Sequence, residues 1–101
     1  MSNIVYQTTA SSTPSIASAA TALAANVNRI GWSIQNLGTN PLFVRLAASA
    51  STTVFHFVLK AGTGNDDGLG GIASQMEGIV YTGIITVVGT SPRYTTLEIA
   101  P

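Results

Sequence analysis

Arg29-Ile30-Gly31-Trp32-Ser33-Ile34-Gln35-Asn36-Leu37-Gly38-Thr39-Asn40-Pro41-Leu42-Phe43-Val44-Arg45-Leu46 is the stretch on which the fold turns. Ile30, Trp32 and Ile34 fall on one side of an extended chain while Gly31, Ser33 and Gln35 fall on the other, the period-two alternation of a half-buried strand. Asn36 to Pro41 gathers turn formers, after which Leu42, Val44 and Leu46 alternate with Phe43 and Arg45. Together the two segments predict a β-hairpin.

The sequence on either side differs in character. Residues 1 to 28 are biased to Ala, Ser, Thr and Asn and read as an N-terminal arm, with Ile4, Val5 and Tyr6 as its apolar tip and a β-domain following over residues 29 to 101. Within the arm, Thr13-Pro14 has the form of a helix start, and Ile16 and Leu23 stand one heptad apart. The Ser and Thr content suits an extended strand equally, so residues 13 to 26 are open between helix and strand. On the other side, Val54-Phe55-His56-Phe57-Val58-Leu59 is apolar on both faces, which suits a central strand or one whose outer face meets another chain. Ala61 to Gly78 is rich in glycine around Asn65-Asp66-Asp67 and reads as a long surface loop. Ile79 to Val88 is a further β-rich run with a bulge or bend expected at Gly83, and Gly89 to Pro92 turns the chain into a last strand over Arg93 to Ile99. Short strands at this spacing predict an all-β fold, a small antiparallel β-sandwich or jelly-roll-like barrel.

Composition narrows the function. A chain of 101 residues and 10.4 kDa has room for one domain. Only 8% of its residues are charged, against roughly 25% in an ordinary soluble domain. Lys and Arg together number 4 and Asp and Glu 4, so the formal net charge is zero. No field is available to steer nucleic acid or an anionic membrane. The absence of cysteine removes disulfides, thiolate metal sites and cysteine nucleophiles. The N-terminus lacks a basic region followed by an apolar run, and no stretch is long enough for a membrane-spanning helix, so a soluble, non-secreted protein is expected.

Reactive groups are few. His56 is the single histidine, flanked by Phe55 and Phe57 without a nucleophile or orienting acid at motif spacing, and reads as an ordinary strand histidine. Asp66 and Asp67 recommend a turn held by Asx hydrogen bonds over a calcium loop. With Gly68 at the sixth place of an EF-hand pattern, Thr63 and Ser74 would occupy the first and twelfth, where acids are required. Glu77 and Glu98 form no supported glycosidase pair. No enzyme activity, cofactor or metal is expected. Trp32 shares a face with Ile30 and Ile34 and reads as core, whereas Phe43 and Tyr94 fall on faces that ought to meet solvent and are candidates for an interface.

Residues 28 to 44, from Asn28-Arg29 through the strand ending in Gln35-Asn36 to the returning strand at Leu42-Phe43-Val44, resemble small β-rich structural proteins of tailed bacteriophages. Leu59-Lys60-Ala61-Gly62-Thr63, Asp67-Gly68-Leu69-Gly70-Gly71, Tyr81-Thr82-Gly83 and Gly89 to Glu98 extend the likeness loosely to residue 99. The resemblance implies a virion component made in the host cytoplasm, a capsid decoration or cement protein on the phage head. The alternatives are a tail- or fibre-associated adhesin module and a lectin-like glycan-binding sandwich. It further implies a homo-oligomer, a trimer, bound to the major capsid protein, with no nucleic acid or membrane partner. Ile4, Val5, Tyr6, Phe43, Val54, His56, Val58 and Tyr94 are the candidate interface residues.

Overall fold

The computed structural model describes residues 4–11, as backbone, and 19–65, 67–76 and 78–101 in full. The strands are β1 (Ile4–Ser11), β2 (Ala20–Leu23), β3 (Gly31–Asn36), β4 (Leu42–Arg45), β5 (Phe57–Leu59), β6 (Ile72–Ser74), β7 (Ile85–Gly89) and β8 (Arg93–Ala100). They form two four-stranded sheets, ordered β1-β8-β3-β6 and β2-β7-β4-β5, in which every pairing is antiparallel. The fold is the expected all-β sandwich.

Its core follows from alternation. Trp32 and Ile34 of β3, Ala73 of β6 and Tyr94 of β8 face Leu42 and Val44 of β4, Leu59 of β5, and Ile85 and Val87 of β7. Each sheet thus buries its inner face on the other. Ile30, grouped with Trp32 by its spacing, lies before β3 and is exposed.

The predicted hairpin does not form. β3 and β4 belong to different sheets, so residues 37 to 41 carry the chain across the sandwich instead of back along the same sheet. Asn36 builds that corner from within. Its side chain is buried, with Nδ2 donating to the carbonyls of Asn40 at 2.9 Å, Leu59 at 3.1 Å and Lys60 at 3.3 Å, while Oδ1 accepts from the Gly38 N–H at 2.9 Å. A buried amide with its hydrogen bonds made is tolerated where an unpaired one is not. β3 pairs instead with β8, Ser33 opposite Leu97, and β4 with β7, Val44 opposite Val87.

The glycine-rich segment is less irregular than expected, because it contains β6. Gly62 N donates to Gly38 O at 2.8 Å, Gly71 N to Lys60 O at 2.8 Å, and Asn36 N to Gly71 O at 2.9 Å, so the segment is laced to the Asn36 corner. Gly70 is required by this approach, since a Cβ there would overlap the Asn36 carbonyl. The apolar run from Val54 to Leu59 is not a central strand: only Phe57–Leu59 is β, and it forms one edge of the second sheet. Likewise Ile79 to Gly83 is not strand, and regular pairing in that run begins at Ile85, after a bend at Gly83.

The segment expected to be an arm supplies an edge strand to each sheet. β1 pairs with β8 along its length, from Ile4 opposite Ala100 to Ser11 opposite Arg93, and β2 pairs with β7 with a register shift between Thr21 and Leu23. Ala20–Leu23 is therefore extended, while Thr13-Pro14 and Ile16 lie outside the described residues.

One ion pair braces the end of the sandwich where β3 begins. Arg29 is 2% exposed. Its Nε donates to Glu98 Oε2 at 2.8 Å, Nη1 to the carbonyls of Tyr81 at 2.9 Å and Gly83 at 3.0 Å, and Nη2 to the carbonyl of Ala24 at 2.6 Å. Asn26 Nδ2 reaches the other Glu98 oxygen at 3.3 Å. One guanidinium therefore joins β8, the chain leaving β2 and the chain entering β7. A buried charge is tolerable only when paired and hydrogen-bonded in this way.

Candidate interaction surface

The outer face of the second sheet carries a strip of apolar side chains that the fold leaves uncovered. Phe43 on β4 lies opposite Val58 on β5 and opposite Val88 on β7, which places the three in one row across the sheet. Exposure rises along that row toward the edge: Val88 is 2% exposed, Phe43 is half-buried and Val58 is 49% exposed. Phe55 extends the strip, its ring edge-on to that of Phe43 with centroids 5.1 Å apart, a favoured aromatic geometry. Val54, 46% exposed, continues it.

The loop between β4 and β5 holds these groups in place. His56 N donates to Val44 O at 2.8 Å, and the Leu46 N–H donates to His56 Nδ1 at 2.9 Å. The imidazole thus clasps the end of β4, with Nδ1 as acceptor, and this fixes the approach of Phe55 to Phe43. Ser51 closes a turn with Val54 through backbone bonds of 2.9 and 3.2 Å, and Ser51 Oγ accepts from the Val54 N–H at 2.9 Å. Beneath the loop, buried Thr86 donates from Oγ1 to Ala47 O at 2.7 Å and accepts from the Ala50 N–H at 3.0 Å. Arg45 Nη1 adds a bond to Ala48 O at 2.8 Å.

Of the residues singled out from the sequence, Phe43, Val54, His56 and Val58 come together here. Tyr94 does not. It lies in the core, 5% exposed, and burial raises its phenol above the ordinary value. The face of β8 that holds Tyr94, Thr96 and Glu98 turns inward with Asn36, Ile34 and Trp32, its partners on β3, and the Glu98 charge is met by Arg29 within the fold. The side chains of Ile4, Val5 and Tyr6 lie outside the described residues; their backbone stands at the far edge of the other sheet, opposite Ala100, Ile99 and Glu98. Phe55 was legible only as part of the apolar run. Its place over Phe43 depends on the loop.

Among the described residues, His56 and Asp67 make hydrogen bonds within the fold. His56 commits Nδ1 to a backbone N–H and not to a nucleophile. Asp67 accepts from Thr63 Oγ1 at 2.5 Å and from the Leu69 N–H at 3.2 Å, the Asx-turn pattern. Asp66 and Glu77 lie outside the described residues, among which no group of three or more metal-ligating side chains gathers. No protein-family model matches the chain, and no curated protein and no solved structure matches it either.

Proposed function

We propose that this chain is a non-enzymatic structural subunit that assembles with copies of itself through the outer face of the second sheet. The observation that carries this reading is the exposed strip of Val54, Phe55, Phe43 and Val58 along β5, the edge strand of that sheet. Contiguous exposed apolar surface marks interaction sites, and an edge strand offers unpaired backbone groups for continuation of the sheet. Zero net charge removes the long-range repulsion that would oppose close packing of identical copies.

The finer reading is a homotrimeric capsid decoration protein, bound to the major capsid protein of a phage head. Its support is the resemblance of residues 28 to 99 to small phage structural proteins. Light scattering on the purified full chain, followed by mixing with phage heads that lack it, tests both levels. A trimer that Val58→Lys converts to a folded monomer is expected, together with binding of the wild type to heads. A wild-type chain that stays monomeric refutes assembly; a trimer that leaves heads bare refutes decoration and turns attention to tails.

A further inference from the structure

Residues 46 to 56 leave β4 and return as β5, and one side-chain bond joins the two ends of that excursion. The Leu46 N–H donates to His56 Nδ1 at 2.9 Å. A neutral imidazole accepts only on the nitrogen without a proton, so this bond requires the tautomer with its proton on Nε2. When the ring takes a second proton, both nitrogens become donors. The Leu46 N–H then meets another N–H where it had a lone pair, and the bond is lost. Histidine is the side chain that ordinarily makes this change between about pH 5 and 8. His56 is exposed, so a proton reaches its ring without unfolding.

The charged groups around it do not replace what is lost. β4 brings Arg45, a second positive charge, whose Nη1 bonds to Ala48 O. β7, beneath the loop, presents Thr86, which does not titrate. Lys60 lies past the far end of β5. Of the described acids, Asp67 is held by Thr63 and the Leu69 N–H, and Glu98 by Arg29. What the bond positions is Phe55, the residue before His56, with its ring centroid 5.1 Å from that of Phe43.

We propose that His56 is a pH-operated latch on the apolar strip: neutral, it pins the base of the loop with Phe55 on Phe43, and protonated, it releases Leu46 so that Phe55 leaves its seat. On the reading of the strip as the surface of self-association, from which this consequence follows, acidification disperses the assembled copies. The charge acts in the same direction, because each copy then brings a cation into an apolar contact, where an unpaired charge is costly.

Two measurements on the full chain, from about pH 8 down to about pH 5, separate the latch from the assembly. Heteronuclear NMR follows the His56 ring and the Leu46 amide, and light scattering follows size. Through the His56 titration the protection of the Leu46 amide, corrected for its intrinsic exchange rate, should fall about fivefold, the worth of about one net hydrogen bond. Self-association should weaken by at least as much, with far-UV circular dichroism unchanged. His56→Asn offers Oδ1 as an acceptor that does not titrate and should keep both the Leu46 protection and the assembly at the acid end. His56→Phe has no acceptor and should show the released state throughout. A Leu46 amide indifferent to the His56 titration overturns the latch, whatever the size of the particle. Assembly undiminished after Leu46 is released overturns its control by His56. A chain that is monomeric at the alkaline end refutes self-association instead, and the Leu46 amide still decides the latch.

Discussion

Replacing Glu98 with leucine tests whether the Arg29 brace governs the stability of this sandwich. Arg29 has a fully buried side chain and Glu98 is 15% exposed, with 2.8 Å between Nε and Oε2. Without the carboxylate, the guanidinium keeps the carbonyls of Tyr81, Gly83 and Ala24 but has no counter-charge, and Asn26 loses its acceptor. Leaving a buried charge uncompensated costs about 3–5 kcal/mol. For a domain of this size roughly 4 °C is lost per kcal/mol, so Tm should fall by about 12–20 °C. Glu98→Gln retains an oxygen that can accept from Nε and should lose about half as much. Thermal and urea unfolding, followed by far-UV circular dichroism and by Trp32 fluorescence, measure the cost. Added salt should not alter the difference, since screening acts mainly on exposed charges. A loss under about 1 kcal/mol in Glu98→Leu, the worth of an exposed pair, would refute the reasoning.

Four further outcomes follow from named residues. Asn36→Leu, close in volume, strips the corner of its donor to Asn40, Leu59 and Lys60 and of its acceptor for Gly38, and should cost about 2–3 kcal/mol in urea unfolding; Gly70→Ala, which forces a Cβ into the Asn36 carbonyl, should yield mostly insoluble protein on expression. Tyr94 has a folded-state pKa raised by burial above the ordinary 10.0. The folded chain therefore holds this proton more tightly than the unfolded chain, so the associated stability is complete below pH 10 and is lost as pH rises through the folded value. Urea midpoints across alkaline pH should decline in the wild type and decline less in Tyr94→Phe. Asp67→Ala removes the bonds to Thr63 and Leu69 in an exposed loop and should change stability by less than about 1 kcal/mol, and Tm should be the same with and without EDTA.

Legibility differed from residue to residue. The alternation in β3 and β4 gave the correct inner positions, Trp32, Ile34, Leu42 and Val44, because burial of one sheet face imposes period two whatever the partner strand. The link between β3 and β4 was misread, since turn formers at Asn36 to Pro41 serve a hairpin and a sheet-to-sheet crossing alike. What separates the two is Asn36, whose amide reaches carbonyls 23 and 24 positions away. On β8 the strand from Arg93 was legible, but Tyr94, expected to meet solvent, turns inward. A strand with Leu97 and Ile99 on one side and Tyr94 on the other has no inward side until its register with β3 sets Tyr94 and Thr96 beside Asn36 and Ile34. In the candidate surface, Phe43, Val54, His56 and Val58 could be named from their apolar or aromatic context, whereas the seating of Phe55 against Phe43 depends on the His56 clasp and the Ser51 turn.

By itself the sequence determined an all-β chain, the strand-forming segments from Gly31 onward in outline apart from β6, a core drawn from alternate residues, and a near absence of ionisable chemistry. These are local or compositional properties, set by side-chain period, turn residues and residue counts. Tertiary structure alone decided which strands are neighbours, that residues 4 to 11 and 20 to 23 close one edge of each sheet, which face of β8 turns inward, and where apolar surface is left over. Each of these depends on partners far apart in the chain, as Arg29 with Glu98 and Asn36 with Leu59 show. A buried polar group selects its place by the distant groups that satisfy it, and neither period nor composition records them.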